Sequence, residues 1–449
     1  MSNQRIYWPL KGHNSRSSRL LLAIFIFLIA PAVVTTATEL PLSAAEQLAL
    51  DSDPAVASAL ARSRAWHEQA VADGELQDPK ITMGLFNVPL DNLDIQQEPT
   101  TQLRFGLHQQ FPKGDSLQLR SAQSEWRASA EIAKAESNAR RVLSDLRETW
   151  LDVYFFQQAQ AIIRENRLFF SQLVDITSDQ YAAGRAYQQD VLRAELELSR
   201  LEDRLAGTKR TENTSRGQLA AWLEDKSLLP LPEEFPELPQ PADYEKILST
   251  LDQHPEITAQ SASVEVEEKA VAIAQQLYKP GWSIGAEYRK RFGNDPLGSD
   301  RSDMLAIVAS IDLPLFTARR QDKRVAAARE RANAVWFSRN DKMRVLRSQL
   351  EKEKFTQQGL QAQLELFENS LLPVAEANSN ASLNAYQSGV SEFTTLMRAR
   401  ITQLDLQLQA LRLKVDLAKS TARLLYLDST RATELSGKNT ATSGRRNAS

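Results

Sequence analysis

Apolar residues recur at three- and four-residue steps over long stretches of the chain, which is the period of an amphipathic helix. The first such stretch runs from Asp115 to Tyr181, and after a turn at Gly184 the pattern returns from Val191 to Trp222. No proline interrupts the ascending arm, which at 1.5 Å per residue is roughly 100 Å long. Average globular helices have three or four turns, so the pattern predicts an antiparallel hairpin with a coiled-coil or spanning role.

The hairpin pattern occurs twice. The Tyr-x-x-Gly sequence that ends at Gly184 returns at Gly389, an offset of 389 − 184 = 205 residues. Upstream, Asp53-Pro54 returns as His254-Pro255 with an offset of 254 − 53 = 201. A slowly drifting register of this kind indicates two copies of one structural unit. The second return helix has an unbroken heptad pattern, which requires a partner helix. Its apolar positions are Met397, Ile401, Leu404, Leu408, Leu411, Val415, Ala418, Ala422 and Leu425.

Four shorter stretches change to a period of two and are predicted to be strands. They lie near 80–89, 101–111, 282–292 and 304–313. Their length is close to the roughly 9–11 residues of a transmembrane strand, and one apolar face with one polar face is the barrel pattern. The alternative is a small soluble sheet packed on helices. Because open edges are not tolerated in hydrocarbon, a barrel would pool strands from several copies. Two copies would give eight strands and three would give twelve.

The predicted fold class is therefore mainly α with a small β part. Long antiparallel helical hairpins form a tunnel, each chain contributes four strands to a shared barrel, and the chain has a two-fold internal repeat. The boundaries are a signal peptide at 1–37, a first repeat at 38–228 with its hairpin at 115–222, a Pro-rich linker at 229–241, a second repeat at 242–428 with its hairpin at 319–427, and a disordered tail at 429–449.

The signal peptide is predicted from a basic start, an apolar stretch and small residues that offer a cleavage site. Lys11, Arg16 and Arg19 precede the apolar run from Leu20 to Val34. An uncleaved N-terminal membrane anchor is the alternative, but this run is short of the ~20 residues that a spanning helix needs. We therefore expect the protein to leave the cytoplasm.

Composition narrows the classes of function. The 449 residues carry a net charge of −3 with 25% charged residues, so binding to nucleic acid has no electrostatic support. The absence of cysteine excludes disulfides, thiolate metal sites and a lipid-modified N-terminal cysteine. The four histidines are scattered without the spacing of a metal pair. No nucleophile–base pair or phosphate-binding glycine loop appears, so we predict neither an enzyme nor a metal or cofactor site.

The export signal, the repeat and the paired turns resemble the TolC family of outer-membrane efflux proteins. The resemblance is carried by Asp53-Pro54 and His254-Pro255, by Tyr181–Gly184 with Asp190–Ala194, and by Tyr386–Ser391. It covers roughly residues 40–428. It implies a homotrimer with a twelve-stranded barrel in outer-membrane lipid and an α-helical tunnel that extends into the periplasm. It also implies docking to a periplasmic adaptor protein and an inner-membrane efflux pump.

Within that family, the run Gly106–Pro112 and the loop Asn87–Leu90 look most like the heavy-metal branch. That branch serves resistance–nodulation–division pumps that export copper, silver, cobalt or zinc. Heavy-metal ions are therefore one expected cargo, and drugs, detergents or a secreted polypeptide are the alternatives.

The candidate sites lie at the two turns. Gly184 and Gly389 stand where a helix reverses, and glycine accepts the left-handed geometry that such a helix end requires. By the resemblance, these turns are the tips that dock to the adaptor, and Val390 and Ser391 match the family's tip motif. Ser391 is also a candidate N-cap of the following helix. Helix capping without any docking role is the alternative interpretation.

A periplasmic gate is the second candidate site. Asp190 matches a position where family members place an acidic ring, but the second repeat has Thr395 and Arg398 there, so the ring is incomplete. Arg193 and Arg398 are predicted instead to pair with Asp190 or Glu392 and to hold the tips shut. The alternative is solvated surface pairs, each worth about 0–1 kcal/mol.

Three hypotheses about function follow. The favoured one is a passive trimeric exit duct of a tripartite efflux system. The second is a periplasmic coiled-coil scaffold or adaptor without a barrel, and the third is an exported enzyme, for which no sequence feature argues.

Overall fold

A computed structural model describes residues 39–431 of the chain. The predicted signal peptide and residues 432–449 of the predicted tail lie outside this range. The described elements, in chain order, are α1 (Leu42–Ser52), α2 (Pro54–Gly74), β1 (Lys80–Phe86), β2 (Gln102–Phe111), α3 (Ser116–Ala182), α4 (Gln188–Leu223), α5 (Tyr244–Thr250), α6 (Pro255–Gln276), β3 (Gly281–Arg291), β4 (Met304–Asp312), α7 (Gln321–Leu366), α8 (Leu372–Gln387) and α9 (Phe393–Leu427). The predicted fold class, mainly helical with a small four-stranded sheet, is confirmed.

Asp53-Pro54 and His254-Pro255 begin equivalent helices in the two repeats. Asp53 is the N-cap of α2, and its Oδ1 accepts a hydrogen bond of 2.9 Å from the Val56 N–H. His254 is the N-cap of α6, and its Nδ1 accepts from the Glu256 N–H at 3.3 Å. In both helices proline occupies the first turn, where its missing N–H costs nothing.

Helix α3 has 67 residues, so it is about 100 Å long. Its middle contributes large buried side chains to the main core, among them Leu146, Trp150 and Leu151, each at most 1% exposed. Nearer the turn, a second core joins α3 and α4 to α9, and Ile163, Phe170 and Leu396 are buried there. No helix of residues 39–431 is both long enough and apolar enough to cross a membrane.

The heptad pattern of α9 is buried as a helical seam. Met397, Leu404, Leu408, Val415 and Ala422 are all less than 9% exposed. The partners of α9 are α3, α7 and α8, so this helix lies between the two hairpins. Burial against several helices explains why α9 has the more regular apolar repeat of the two return helices.

The ascending arm of the second hairpin contains a π-helical segment at Phe367–Leu371, between α7 and α8. The Leu372 N–H donates to the Phe367 carbonyl, five residues back. Pro373 follows directly and has no N–H with which to continue an α-helical ladder. The wider turn absorbs one extra residue. Leu346, Leu350 and Glu353 are buried at steps of four and three, and Phe367 lies two heptads after Glu353. Ala375 and Ser379 are buried one residue later than the same heptad predicts.

The four strands form one antiparallel sheet in the order β1-β2-β3-β4, so β1 and β4 are its edges. β1 ends at Phe86, earlier than the predicted residue 89. The reason lies at Asn87, whose φ of 55° leaves the extended conformation. The Asn87 side chain donates to the Thr100 carbonyl, and the Thr101 hydroxyl donates to the Asn87 carbonyl, so these contacts close the loop.

The segment between the repeats runs along α3 as an extended chain. The Tyr154 hydroxyl donates to the Glu233 carbonyl at 2.9 Å, and the Gln157 amide donates to the Leu231 carbonyl at 2.9 Å. Arg216, which pairs with the buried Glu212, donates to the Leu229 carbonyl at 2.7 Å. These bonds satisfy the carbonyls of a Pro-rich segment that has few N–H groups of its own.

Candidate functional site

Both helical hairpins reverse in the same way. Gly184 and Gly389 each have a φ of 71°, the left-handed conformation that was expected of them. The Gly184 N–H donates to the Tyr181 carbonyl at 2.9 Å, and the Arg185 N–H donates to the Gln180 carbonyl at 2.8 Å. In the second repeat, Gly389 and Val390 make the equivalent bonds to Tyr386 and Ala385. This pair of bonds is the Schellman motif of a helix C-terminus.

We call residues 183–187 the first tip and residues 388–392 the second tip. An ideal Cβ built on Gly184 or Gly389 would meet nothing within 4 Å, so both turns stand clear of the rest of the chain. Val390 is 83% exposed, an apolar side chain at the outermost turn of the second hairpin. A single exposed apolar residue is common on protein surfaces, so docking at this turn stays a prediction.

Close to the tips, Tyr386 joins the two hairpins. Its hydroxyl donates to Gln180 Oε1 at 2.9 Å, which links α8 to α3. Its ring packs edge-on against Phe393 at 5.6 Å between centroids. Burial raises the pKa of Tyr386, and the nearby Asp190 carboxylate adds to that increase. Tyr181, its equivalent in the first repeat, is 48% exposed, so only one of the two tip tyrosines joins the hairpins.

Ser391 is not the N-cap of α9, and that prediction was wrong. The N-cap is Glu392, and the helix begins at Phe393. The Ser391 N–H donates back to the Ala385 carbonyl at 3.2 Å. Ser391 therefore belongs to the turn that follows α8, because this turn extends one residue further than the sequence indicated.

The predicted gate residues lie close to the tips but are not paired within the chain. Asp190 lies in the first turn of α4, half-buried beside Tyr386. Arg193, Thr395 and Arg398 are exposed. Of the ion pairs within residues 39–431, none joins Arg193 or Arg398 to Asp190 or Glu392. No such pair forms within one chain, and both arginines are exposed, so pairing that holds the tips shut stays a prediction for the assembled duct.

The sheet has one apolar face and one polar face. On what we call the apolar face, Ile81, Leu107, Ala286 and Ile307 follow one another across the four strands. Large side chains of this face are exposed, with Ile81 at 79% and Ile307 at 72%. In water, a contiguous apolar surface of this extent is unfavourable, so it marks a contact with lipid or protein.

The opposite, polar face carries most of the charged side chains of the strands. Lys80, His108 and Asp312 lie at the end nearest the helices. Arg104, Glu287 and Arg289 lie near the end where the two hairpin loops emerge. No group of three or more His, Asp or Glu side chains within residues 39–431 is arranged to hold a metal ion.

Two functional features were not found from the sequence. The Tyr386–Gln180 bond joins two residues that are 206 positions apart in the sequence, and no local pattern signals such a contact. The π segment had a signal in Pro373, which stands inside an otherwise continuous helical pattern.

Comparison with known proteins gives a family match over part of the chain and establishes the fold. Residues 247–428 match the family model of the outer membrane efflux proteins. No curated protein sequence matches the chain. Among solved structures, the outer membrane protein VceC of Vibrio cholerae is 19% identical, with a TM-score of 0.69 over 85% of this chain and 96% of that one.

Two further channels show the same likeness. The CmeC outer membrane channel of Campylobacter jejuni is 13% identical, with a TM-score of 0.73 over 89% of this chain and 88% of that one. The MtrE outer membrane channel of Neisseria gonorrhoeae, solved in an open state, is 14% identical, with a TM-score of 0.67 over 86% and 88%. At these identities the likeness establishes the fold, and the family match lies within the second repeat. Together they confirm the resemblance predicted from the sequence: residues 247–428 match the family of outer membrane efflux proteins, and the chain has the fold of these solved structures.

Proposed function

We propose that the protein is the passive exit duct of a tripartite efflux system, assembled from three copies of the chain. In this role the protein lies in the outer membrane, extends into the periplasm and catalyses no reaction. The observation that carries the proposal is the sheet, which has an exposed apolar face and two unpaired edges in a single chain.

The sheet argues for closure by other copies. Strands β2 and β3 have 10 and 11 residues, the length that a tilted strand needs to cross a bilayer. Unpaired N–H and C=O groups along β1 and β4 cannot remain in hydrocarbon. Single-chain barrels start at about eight strands, so one chain is too small, and three chains supply twelve. The apolar face then meets lipid and the polar face lines the duct.

The tips supply the other half of the proposal. Two Schellman turns hold Gly184 and Gly389 at the end of the long hairpins, clear of other side chains. We infer that they dock a periplasmic adaptor, with Val390 and Ser391 at the contact, and that the adaptor joins the duct to an inner-membrane pump. The gate is proposed at the same end, where Asp190, Arg193, Thr395 and Arg398 of three copies converge.

Cysteine cross-linking tests the assembly, because the chain has no cysteine of its own. Thr82 on β1 and Ala306, Val308 and Ser310 on β4 all lie on the polar face. Within one chain, three strand spacings separate β1 from β4, about 14 Å. A disulfide needs Cα atoms within about 7 Å, so a bond between these edges has to join two chains.

We expect Thr82→Cys, combined in turn with Ala306→Cys, Val308→Cys and Ser310→Cys, to give dimer and trimer bands after oxidation for at least one pair. Each single-cysteine variant is the control and gives no species larger than a dimer. Monomer for every pair, with a protein that is extracted from cells without detergent, would favour the periplasmic scaffold instead.

The cargo is a separate question. A heavy-metal cargo rests on the resemblance of residues 87–90 and 106–112 to the metal branch. Growth of a deletion strain on copper, silver, zinc, cobalt, bile salts and dyes separates the alternatives. Sensitivity confined to metals, restored by the intact gene, supports a metal pump as the partner. Sensitivity to dyes and detergents supports a general drug-efflux duct.

A further inference from the structure

Three arginines and one glutamate are grouped on the polar face of the sheet, near the two hairpin loops. Arg104 on β2 lies directly opposite Arg289 on β3, and Gln102 lies opposite Arg291. Glu287 is two residues before Arg289 on the same strand and face. We call Arg104, Glu287, Arg289 and Arg291 the basic band.

Two like charges directly opposite each other destabilise a sheet, so the facing pair of arginines requires compensation. Glu287 compensates the charges of both arginines with one carboxylate oxygen. Its Oε1 accepts from Arg289 Nε at 2.7 Å and lies 3.4 Å from Arg104 Nε. Arg291 donates to the Pro99 carbonyl, a neutral acceptor. Glu287 therefore contacts two of the three guanidinium groups, and the four side chains of the basic band keep a positive surplus.

The basic band is held in a fixed position. The Arg104 guanidinium stacks over the Phe86 ring at 4.1 Å from its centroid. A Cβ at Gly84 would lie 2.9 Å from this ring, so glycine lets the ring lie flat against the strand beneath the arginine. The side chains of Arg104, Glu287 and Arg289 are only 25–29% exposed. Limited exposure and stacking reduce the freedom of these side chains to turn away from the surface.

The basic band lies at the loop end of the sheet, away from the helices. Arg301, between β3 and β4, donates to the Glu98 carbonyl of the other loop at 3.2 Å and to the Phe292 carbonyl at 2.9 Å. The two loops therefore form one rim, with the basic band directly beneath it. In the proposed duct this rim is the outer mouth, since the helices occupy the other end.

We propose that the basic band is an anion-selective ring at the outer mouth of the duct, and that it favours exit of solutes carrying carboxylate, sulfonate or phosphate groups. This inference rests on the proposed trimer. Three copies place six facing arginines and three glutamates at one level of the lumen. Rings of charged side chains set the ionic preference of a pore, and a lumen lined by one sign of charge concentrates the opposite ion. Free metal cations are disfavoured at the same level.

The test is the reversal potential of purified trimers in a planar bilayer under a KCl gradient. We expect the wild type to prefer chloride, and Arg289→Gln to lower the chloride-to-potassium permeability ratio by about two-fold. Lys290→Gln is the matched control, because Lys290 neighbours Arg289 on β3 but lies on the apolar face. This variant and the charge-conserving Arg289→Lys should both keep the wild-type ratio.

Glu287→Gln tests whether the ion preference shifts in the opposite direction when a negative charge is removed. It removes the compensating carboxylate, so the preference for chloride should increase, the reverse of the Arg289→Gln shift. A wild type that prefers potassium, an unchanged ratio in Arg289→Gln and Glu287→Gln, or an equal shift in Lys290→Gln would each overturn the anion ring. If the wild type opens channels without these shifts, only the ring is overturned. If the wild type forms no channels, the duct itself is overturned.

Discussion

At the scale of single residues, two glycines allow the long hairpins to reverse. At Gly184 and Gly389 the backbone is left-handed, and no neighbouring atom would collide with an added side chain. Glycine is required at these two positions only because of the left-handed backbone conformation. In contrast, Gly359 lies inside α7 with an ordinary helical backbone and equally open surroundings.

This contrast gives a matched pair of substitutions. We expect Gly389→Ala to destabilise the protein by about 1 kcal/mol, because an L-residue is strained in that conformation. Gly359→Ala should stabilise it by about 0.5–1 kcal/mol, because alanine favours a helix interior. Chemical denaturation in detergent measures both, and a stability gain in Gly389→Ala would contradict the assignment of strain.

His254 makes the stability of the protein depend on pH. It is fully buried, its Nδ1 caps α6, and its Nε2 is 3.0 Å from the Tyr426 carbonyl. Burial lowers its pKa below the ordinary value of 6.5, against the opposing effect of the bond to Tyr426. The unfolded chain therefore binds the proton first, and the free energy of unfolding falls as the pH drops below 6.5.

His254→Asn removes this titration and keeps an oxygen that can cap the helix. The thermal unfolding midpoint of the variant, measured from neutral to mildly acidic pH, should fall less steeply than that of the wild type. Equal slopes for the two proteins would show that His254 does not contribute to the pH dependence.

At the scale of helices and strands, α9 depends on its buried heptad seam. Leu404 is 1% exposed in the core shared by α3, α4 and α9. Leu404→Ala should cost about 3 kcal/mol of unfolding free energy, since it leaves a cavity between three helices. Leu404→Met conserves most of the volume and should cost less than about 1.5 kcal/mol. Similar losses for the two variants would indicate that the site is not tightly packed.

The helices and strands could be predicted because their signals are local. The period of the apolar residues defined α3 and α9, and alternation defined β2 and β3 to within one residue at most boundaries. The N-cap of α9 and the bond from Tyr386 to Gln180 could not be predicted in this way. They depend on how the chain closes after a turn and on which helices become neighbours, and neither is encoded in a short window of sequence.

At the scale of the whole molecule, the proposed gate requires contacts that a single chain does not contain. Arg398 is exposed, and within residues 39–431 no ion pair joins it to Asp190 or Glu392. Its proposed role is to close the narrow end where three chains converge.

Arg398→Ala is expected to raise the single-channel conductance, because it removes a charged side chain from the proposed constriction. Arg200→Ala is the control: Arg200 is also exposed, but it lies further along α4 and pairs with Glu197. Unchanged conductance in Arg398→Ala would remove Arg398 from the gate and leave the adaptor-docking role of the tips untouched.

The π segment at Phe367–Leu371 has a consequence for how this arm tolerates insertions and deletions. Because the segment absorbs one residue, α8 keeps Ala375 and Ser379 turned inward, in line with Phe367. Loss of one residue within the segment would restore the α-helical register of the arm and keep the rotational position of the second tip, with Pro373 left as a kink inside the helix. The same loss elsewhere in the arm would turn the tip by about 100° about the helix axis. The π segment is thus the place in the arm where the chain can lose one residue without rotating Val390 about the helix axis.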